Sequence, residues 1–331
     1  MARILVVGGA GFIGSHMMKT LVKAGHDAVA FDNLTTGHAD AVIYGELVEG
    51  DLANPDQVKD VLVSGHFDGV MQFASNIEVG ESVTNPRKYY TNNVTNTLNL
   101  IHAMMDQGLN NLIFSSTAAV YGTPDCTPVD EDHPCRPINP YGKTKHIIES
   151  VLSDYRDAHG FASRALRYFN AVGADPDGEL GERDEPESHL IPLVIQAALG
   201  QRPDIKIYGT DYETRDGTCI RDYVHVNDLC DAHLLAMDQL LKGSGGSAYN
   251  LGNGEGFSVR EVIETVREVS GRDFVVNETN RRAGDPAVLV ANASRAQAEL
   301  EWQATFGSIE AIVSDAWDFY QTTIGRARSA S

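Results

Sequence analysis

The 331-residue sequence predicts an α/β fold in which a doubly wound parallel sheet is followed by a smaller α/β C-terminal lobe. Three observations carry that expectation. Short β-rich runs alternate with helix-period segments through the first half of the chain, Gly8, Gly11 and Gly14 directly follow the first of those runs, and Asp32 ends the second. Strands that alternate with helices connect through right-handed crossovers and pair in parallel.

Arg3 precedes the apolar run 4–7, but Gly8 and Gly9 end that run, so it reads as a first strand rather than a signal peptide. A helix over 13–24, a strand over 28–31, a strand tip at Val48 and Glu49 and a helix over 55–63 come next. A strand over 69–73, a long helix over 86–107, a strand over 112–115, a helix over 140–159 and a strand over 163–169 follow. Beyond Asn170 the alternation degrades, and 173–188, rich in Gly, Pro and acidic residues, reads as a loop entering a second lobe. Helices over 190–199, 226–241, 259–270 and 309–321 and short strands over 205–208 and 248–251 complete the chain. The expected division is 1–170 against 171–331, with segments around 217–252 returning to the first part.

With 42% hydrophobic residues there is ample material for a large core, which rules out a disordered or fibrous chain. The net charge of -20, from 26 Lys+Arg against 46 Asp+Glu, is the wrong sign for nucleic acid or an anionic membrane surface. No stretch approaches the roughly 18 apolar residues that span a bilayer. Cys126, Cys135, Cys219 and Cys230 form no C-x-x-C and no ligand array, so no metal is expected, and a reduced, cytoplasmic, soluble protein is.

Gly8, Gly11 and Gly14 are spaced by three, and Gly9, Gly11 and Gly14 satisfy G-x-G-x-x-G. Glycines there permit a tight turn, close approach of backbone to a pyrophosphate at a helix N-terminus, and close helix–strand packing. An ordinary strand-to-helix turn has the same composition. Asp32, eighteen residues after Gly14, favours the dinucleotide: it can accept both ribose hydroxyls, and its charge repels a 2′-phosphate, so NAD is expected rather than NADP. A solvated strand end is the plainer reading of Asp32. Asp51 and Leu52 either hold an adenine or begin the next helix, and Phe73, Ala74 and Ser75 either line a cofactor or belong to the core.

The residues that decide the chemistry are Tyr141-Gly142-Lys143-Thr144-Lys145, with Ser115-Ser116-Thr117 ending the preceding strand. Residues i and i+4 share a helix face, so Tyr141 and Lys145 can address one substrate. A cationic Lys145 is expected to lower the phenol from about 10 toward neutrality, making Tyr141 a general base, with the Thr117 hydroxyl bridging substrate and phenol. Y-x-x-x-K alone is as often a plain helix face. Its order after a glycine motif and a Ser/Thr-rich strand end argues for catalysis.

With these motifs the sequence resembles the extended short-chain dehydrogenase/reductase family, and within it the enzymes that invert C4 of UDP-hexoses. The resemblance runs through 8–16, 31–34, 80–83, 89–94, 114–122, 140–145, 167–173, 217–226, 249–252 and 281–285. It implies a Rossmann domain, a permanently held NAD, and catalytic roles for Thr117, Tyr141 and Lys145. Implied cofactor contacts are Gly8, Gly11, Phe12, Ile13, Gly14, Asp32, Asn33, Asp51, Leu52, Phe73, Ala74, Ser75, Asn92, Ser115, Tyr141, Lys145 and Tyr168. Implied substrate contacts are Thr117, Asn170, Leu190, Arg221, Arg282 and Asp285, with Ile207 and Tyr208 either near the uracil or simply strand core, and His189 before Leu190 as a sugar or phosphate contact or a helix cap. Arg221 and Arg282 suit diphosphate by their guanidinium forks, although Arg in an acidic protein also serves ion pairing.

Dehydratases of this kind carry an acidic pair after the strand-end Thr and the UDP-glucuronate decarboxylases a Glu near there, whereas this chain has Ala118 and Ala119. The expected reaction is therefore NAD-dependent C4 epimerisation of a UDP-hexose through a 4-keto intermediate, with UDP-glucose and UDP-galactose favoured. UDP-GlcNAc, UDP-glucuronate, net sugar-nucleotide redox chemistry and a non-catalytic NAD-binding protein are the alternatives. Leu289 matches the family's gate for the sugar 2-substituent and is intermediate in size. Ser75-Asn76-Ile77 departs from the pattern, leaving no Lys there for the cofactor. Helices over 86–107 and 140–159 resemble those of the family's four-helix-bundle homodimer.

Overall fold

The computed structural model describes residues 1–282 and 285–329. Its strands are β1 (Arg3–Val7), β2 (Asp27–Asp32), β3 (Glu46–Glu49), β4 (Gly69–Gln72), β5 (Asn111–Thr117), β6 (Ala162–Tyr168), β7 (Asn170–Val172), β8 (Ile205–Tyr208), β9 (Ile220–His225), β10 (Ala248–Leu251), β11 (Gly256–Ser258), β12 (Val276–Thr279) and β13 (Val288–Leu289). Its α-helices are α1 (Phe12–Lys23), α2 (Pro55–Gly65), α3 (Val79–Thr84), α4 (Pro86–Tyr89), α5 (Thr97–Asp106), α6 (Pro140–His159), α7 (Leu190–Ala198), α8 (Val226–Leu241), α9 (Val259–Ser270), α10 (Ser294–Leu300) and α11 (Ile309–Ser329).

Seven strands pair in parallel in the order β10-β6-β5-β4-β1-β2-β3. The order reverses between β1 and β4, which opens a crevice beyond their C-terminal ends. Both faces of this sheet are covered. In β1, Ile4 and Val6 pack with Met17, Met18 and Leu21 of α1 and with α8, while Leu5 and Val7 pack with Val58 and Leu62 of α2, Leu100 of α5 and Ile148 of α6. A strand buried on both faces reads as a continuous apolar run, and each such side chain stabilises the fold by roughly 1.5–3 kcal/mol.

The C-terminal half is built on β9, which pairs with β7 and β13 in parallel and with β11 antiparallel; β8 and β12 form a separate parallel pair. Ile191 and Ile195 of α7, Val262 and Val266 of α9, and Ile312 and Trp317 of α11 close a third core here. The loop leading into this half is tied back to α1, because buried Lys19 reaches Asp175 at 2.6 Å, Glu179 at 2.7 Å and Asp177 at 2.9 Å.

The expected helix over 86–107 is not continuous. It divides into α4, a π-helical turn over Tyr90–Asn96 and α5. The wider turn lets consecutive residues reach one loop: the Asn76 N–H donates to both Asn92 Oδ1 and Asn93 Oδ1, and Asn93 Nδ2 returns a bond to the Asn76 carbonyl at 2.9 Å. The strand expected over 248–251 sits at the edge of the large sheet beside β6. β7, β9, β11, β12, β13, α3 and α10 were not expected, and α11 extends past 321 to Ser329. No helix among the described residues is long and apolar enough to cross a membrane.

Candidate active site

The glycine loop leaves β1 and enters α1, and its glycines do different work. Gly8 adopts a left-handed φ of 82°, and a Cβ there would lie 2.6 Å from the Ala74 nitrogen, so this residue sets how closely the ends of β1 and β4 approach. A Cβ at Gly14 would meet the Gly8 carbonyl at 2.0 Å, fixing the helix against the turn, whereas a Cβ at Gly11 would find nothing nearer than 3.5 Å. No side chain caps α1 at Gly11, and the N–H groups of Phe12 and Ile13 have no acceptor among the described residues. That leaves an open cradle of backbone donors at the positive end of a helix, which fits a dinucleotide's pyrophosphate.

Asp32 is buried and braces this cradle, with Oδ2 accepting the Ala10 N–H at 2.9 Å and Oδ1 the Leu34 N–H at 2.8 Å. Beside it, Asn33 Nδ2 donates to Asp51 Oδ2 at 3.1 Å. The other Asp51 oxygen accepts the Ala53 N–H, and Leu52 is buried beneath the same strand tips. Phe73 and Ala74 both donate their N–H to the Val7 carbonyl, at 2.8 and 3.1 Å, bringing them and Ser75 to the crevice.

Across the crevice, β5 and α6 meet. Asn139 caps α6 through the Gly142 N–H at 2.8 Å with Pro140 in the first turn, which puts Tyr141 at the helix entrance. A Cβ on Gly142 would lie 2.4 Å from the Ala119 carbonyl, so glycine there lets the helix close onto the end of β5. Thr117, Tyr141 and Lys145 thereby converge. The Thr117 side chain lies near enough to the Tyr141 phenol to pull it down, and Lys145 Nζ donates to the Ser115 carbonyl at 2.8 Å, 5.0 Å above the Phe114 ring.

The electrostatics differ from the sequence expectation. Burial pushes the Tyr141 phenol up to about 12, against the pull of Thr117. Burial lowers Lys145 itself to about 7, with the Glu149 charge opposing. Burial thus favours Tyr141 as a neutral phenol, while the lysine is turned to the strand carbonyl.

The residues expected on the substrate side, apart from Thr117, lie on the second half. Arg221 donates to the Ile220 and Pro286 carbonyls at 2.9 and 2.8 Å, lies 3.7 Å from Asp285, and pairs in register with Leu289. Leu289 packs against Ala118, Val120 and Tyr121, next to Thr117. Arg282 stacks on the Tyr208 ring at 3.8 Å. Residues 283 and 284 of the family-like stretch 281–285 lie outside the described residues.

Asn170 Nδ2 donates to the Asp222 carbonyl at 2.7 Å, and Leu190 begins α7. The Ile207 side chain packs into the C-terminal core, the plainer of its two expected readings, because β8 alternates and turns Lys206 and Tyr208 outward. His189 turns Nδ1 to Glu182 at 2.5 Å rather than capping α7 with its side chain.

The model of the NAD dependent epimerase/dehydratase family matches residues 4–252, spanning the glycine loop, Thr117, Tyr141, Lys145 and Arg221. The chain belongs to the NAD dependent epimerase/dehydratase family. A UDP-glucose 4-epimerase of Rhizobium meliloti (strain 1021) is 48% identical over 317 residues, which are 96% of this chain and 96% of that one. The crystal structure of UDP-glucose 4-epimerase from Brucella ovis in complex with NAD superposes with a TM-score of 0.94 at 46% identity, covering 96% of this chain and 98% of that one. The UDP-Glc/GlcNAc 4-epimerase from Campylobacter jejuni follows with a TM-score of 0.86 at 43% identity, covering 97% and 100%.

Three residues of this family member escaped the sequence reading. His233 of α8 lies between Phe73 and Tyr168, with ring centroids at 4.9 and 5.5 Å, and its Nε2 is 3.5 Å from the Tyr168 hydroxyl. Burial lowers it to about 4, so it is neutral. Fully buried Asp222 accepts N–H groups from Asn253, Gly254 and Ala291 at 2.7, 3.0 and 3.0 Å, and Glu149 forms a buried pair with Arg167. The signal for Asp222 was its place directly after Arg221. Groups of possible metal ligands among the described residues each enclose or border a protein cation: Lys19, His189 or Arg167.

Proposed function

We propose that the protein interconverts the C4 epimers of a UDP-hexose, UDP-glucose and UDP-galactose, with one NAD held in place through successive turnovers. The observation that carries this reading is the convergence of Thr117, Tyr141 and Lys145 beside an open glycine cradle, with Ala118 and Ala119 offering no acid for a dehydration.

Phe12 and Ile13 would hold the pyrophosphate through their N–H groups, Asp32 and Asn33 the adenosine ribose, and Asp51 and Leu52 the adenine side. Phe73, Ala74, Ser75, Asn92, Ser115 and Tyr168 would line the remainder, with Lys145 and Tyr141 beside the nicotinamide end. When bound, NAD supplies a reversible hydride acceptor for C4 and a positive charge that opposes the burial holding Tyr141 up. Tyr141 takes the proton of the C4 hydroxyl with Thr117 as bridge, and Lys145 steadies the resulting phenolate. Arg221 and Arg282 hold the diphosphate, leaving the hexose free to present its other face, where Tyr141 returns the proton. Asn170, Leu190, Tyr208 and Asp285 complete the nucleotide site, His189 orders the loop before Leu190, and Leu289 faces the sugar.

The same reading makes the protein a cytoplasmic homodimer. Tyr90 and Ile147 are exposed on the π-helical turn and α6, and Val83 is exposed on the adjoining α3, which gives two-helix faces suited to a four-helix bundle.

Incubating the purified protein with UDP-galactose, UDP-GalNAc or UDP-galacturonate, with no cofactor added, tests the function. The expected result is conversion of UDP-galactose to its C4 epimer by a species larger than the 35.9 kDa monomer. Turnover that requires added NAD or NADH and yields a net oxidised or reduced sugar overturns it. Preferential conversion of UDP-GalNAc or UDP-galacturonate moves the substrate within the class.

A further inference from the structure

We propose that Glu149 is a positioning residue for the reaction: from one turn beyond Lys145 on α6 it locks that helix onto the end of β5 and supports the lysine's charge. The inference rests on the function proposed above.

The geometry is a two-rung ladder. Lys145 Nζ donates to the carbonyl of Ser115, and the Ser116 hydroxyl donates to Glu149 Oε1, so consecutive residues of β5 hold residues one turn apart on α6. Glu149 is held from a third element as well. Arg167 of β6 donates Nε to Oε1 at 3.0 Å and Nη2 to Oε2 at 2.5 Å, with the two side chains only 8% and 9% exposed. Arg167 Nη1 in turn donates to the Tyr121 hydroxyl at 2.9 Å, which donates to Asn250 Oδ1 of β10 at 2.7 Å. The carboxylate therefore fixes the strand end that carries Thr117 and the helix that carries Tyr141 to the two strands beside them.

A bidentate buried ion pair has a plain structural use, and the charge on Glu149 adds a second one. Lys145 is buried, and Glu149 is the charged group that raises it against that burial. The neighbouring groups do not replace it. Arg167 offsets part of its field, Tyr141 and Tyr168 are neutral phenols on the cofactor side, Cys135 is a thiol raised by burial, and His146 borders the carboxylate from α6. The further carboxylate, Glu131, faces Arg167 and Tyr121.

Glu149→Gln tests the inference, because its amide oxygen still accepts from Ser116 while the charge is gone. Expected are a fall in kcat of about tenfold at pH 8, a KM for UDP-galactose within about twofold of wild type, and a shift of the limb where activity fades with rising pH. Removing a nearby opposite charge moves that limb down by about 0.5–1 pH unit. The ¹³Cε resonance of Lys145, titrated in labelled protein, shifts its midpoint in the same direction without any turnover. Glu149→Asp keeps the charge, is the variant to use if the Gln protein folds poorly, and is expected to hold the wild-type midpoint. An unmoved Lys145 midpoint in Glu149→Gln, or an equal shift in both variants, reduces Glu149 to a structural brace and overturns the inference. A wild-type protein inactive on every UDP-hexose sinks the proposed function instead, and the Lys145 titration still decides the role of Glu149.

Discussion

Two buried aspartates organise the two halves of the site in different ways. At the end of the large sheet, Asp32 accepts N–H groups of Ala10 and Leu34, residues that flank it closely along the chain or sit in the glycine loop. In the small sheet, Asp222 accepts N–H groups of Asn253, Gly254 and Ala291, which lie 31, 32 and 69 residues away. The first carboxylate braces a cofactor cradle whose parts are local in sequence. The second ties three distant segments together, including the one that follows Leu289, next to Arg221. Under the proposed function, chemistry falls to the large sheet, and sugar-nucleotide holding to a sheet assembled from remote pieces.

The largest expected effect tests whether that separation of labour is real. Tyr141→Phe removes the proposed proton-transfer group and leaves Arg221, Arg282 and the glycine loop untouched. Turnover is expected to fall by a factor on the order of 10²–10⁴, with UDP and NAD affinity within about twofold of wild type by calorimetry. Near-wild-type kcat would mean that another group moves the proton. A large loss of UDP affinity would mean that the two halves are not separable.

How far each half was legible follows from the same contrast. Gly8 to Gly14, Asp32, Thr117, Tyr141 and Lys145 carry local signals: spacing after a strand, the end of a strand, i and i+4 on one helix. The seven-stranded sheet was legible for the same reason, since strands such as β1 buried on both faces read as unbroken apolar runs. β7, β11 and β13 span three, three and two residues and exist only through pairing with β9, so no periodicity announces them. Asp222, His233 and Glu149 looked like ordinary helix or strand polar residues because their partners are distant in sequence. For Ile207 both a nucleotide contact and a core position were open, and the two-residue period of β8 turns its side chain inward.

A paired substitution is the next test, with a smaller effect. Asp222→Asn turns one carboxylate oxygen into a donor facing N–H groups, leaving at least one buried donor without an acceptor at about 1–3 kcal/mol. The expected signature is a lower urea midpoint and a raised KM for UDP-galactose at unchanged NAD content. Asp32→Ala is expected to do the reverse, weakening NAD and relaxing discrimination against NADP while sparing UDP affinity. Burial raises Asp222 to about 6 in the fold, so the stability linked to its protonation is full below the carboxylate's ordinary value of 3.8 and lost as pH rises through 6. That component of the pH profile should vanish in Asp222→Asn. If both variants lose the same ligand, the two aspartates do not divide the site.

The smallest effect concerns the loop before Leu190. Burial alone would lower His189, but the charge and hydrogen bond of Glu182, with Glu187 and Asp184 behind it, outweigh burial and raise it to about 9. A histidine raised in the folded state contributes stability that is fully present below 6.5 and is lost as pH rises through 9. Glu187, raised by burial and by the Glu182 charge to about 7, moves in the same sense at lower pH, with its contribution full below 4.5 and lost through 7. The melting temperature should therefore decline between pH 6.5 and 9. Because the His189 side chain is partly exposed, the decline should be modest, about 1–3 °C for a chain of this size. His189→Gln should flatten the profile across that window while leaving the rate at saturating substrate unchanged, since the residue faces carboxylates of its own loop and not Tyr141. An equal slope in the variant would place the titrating group elsewhere. A fall in the saturated rate would make His189 part of the catalytic half and break the division between the two sheets.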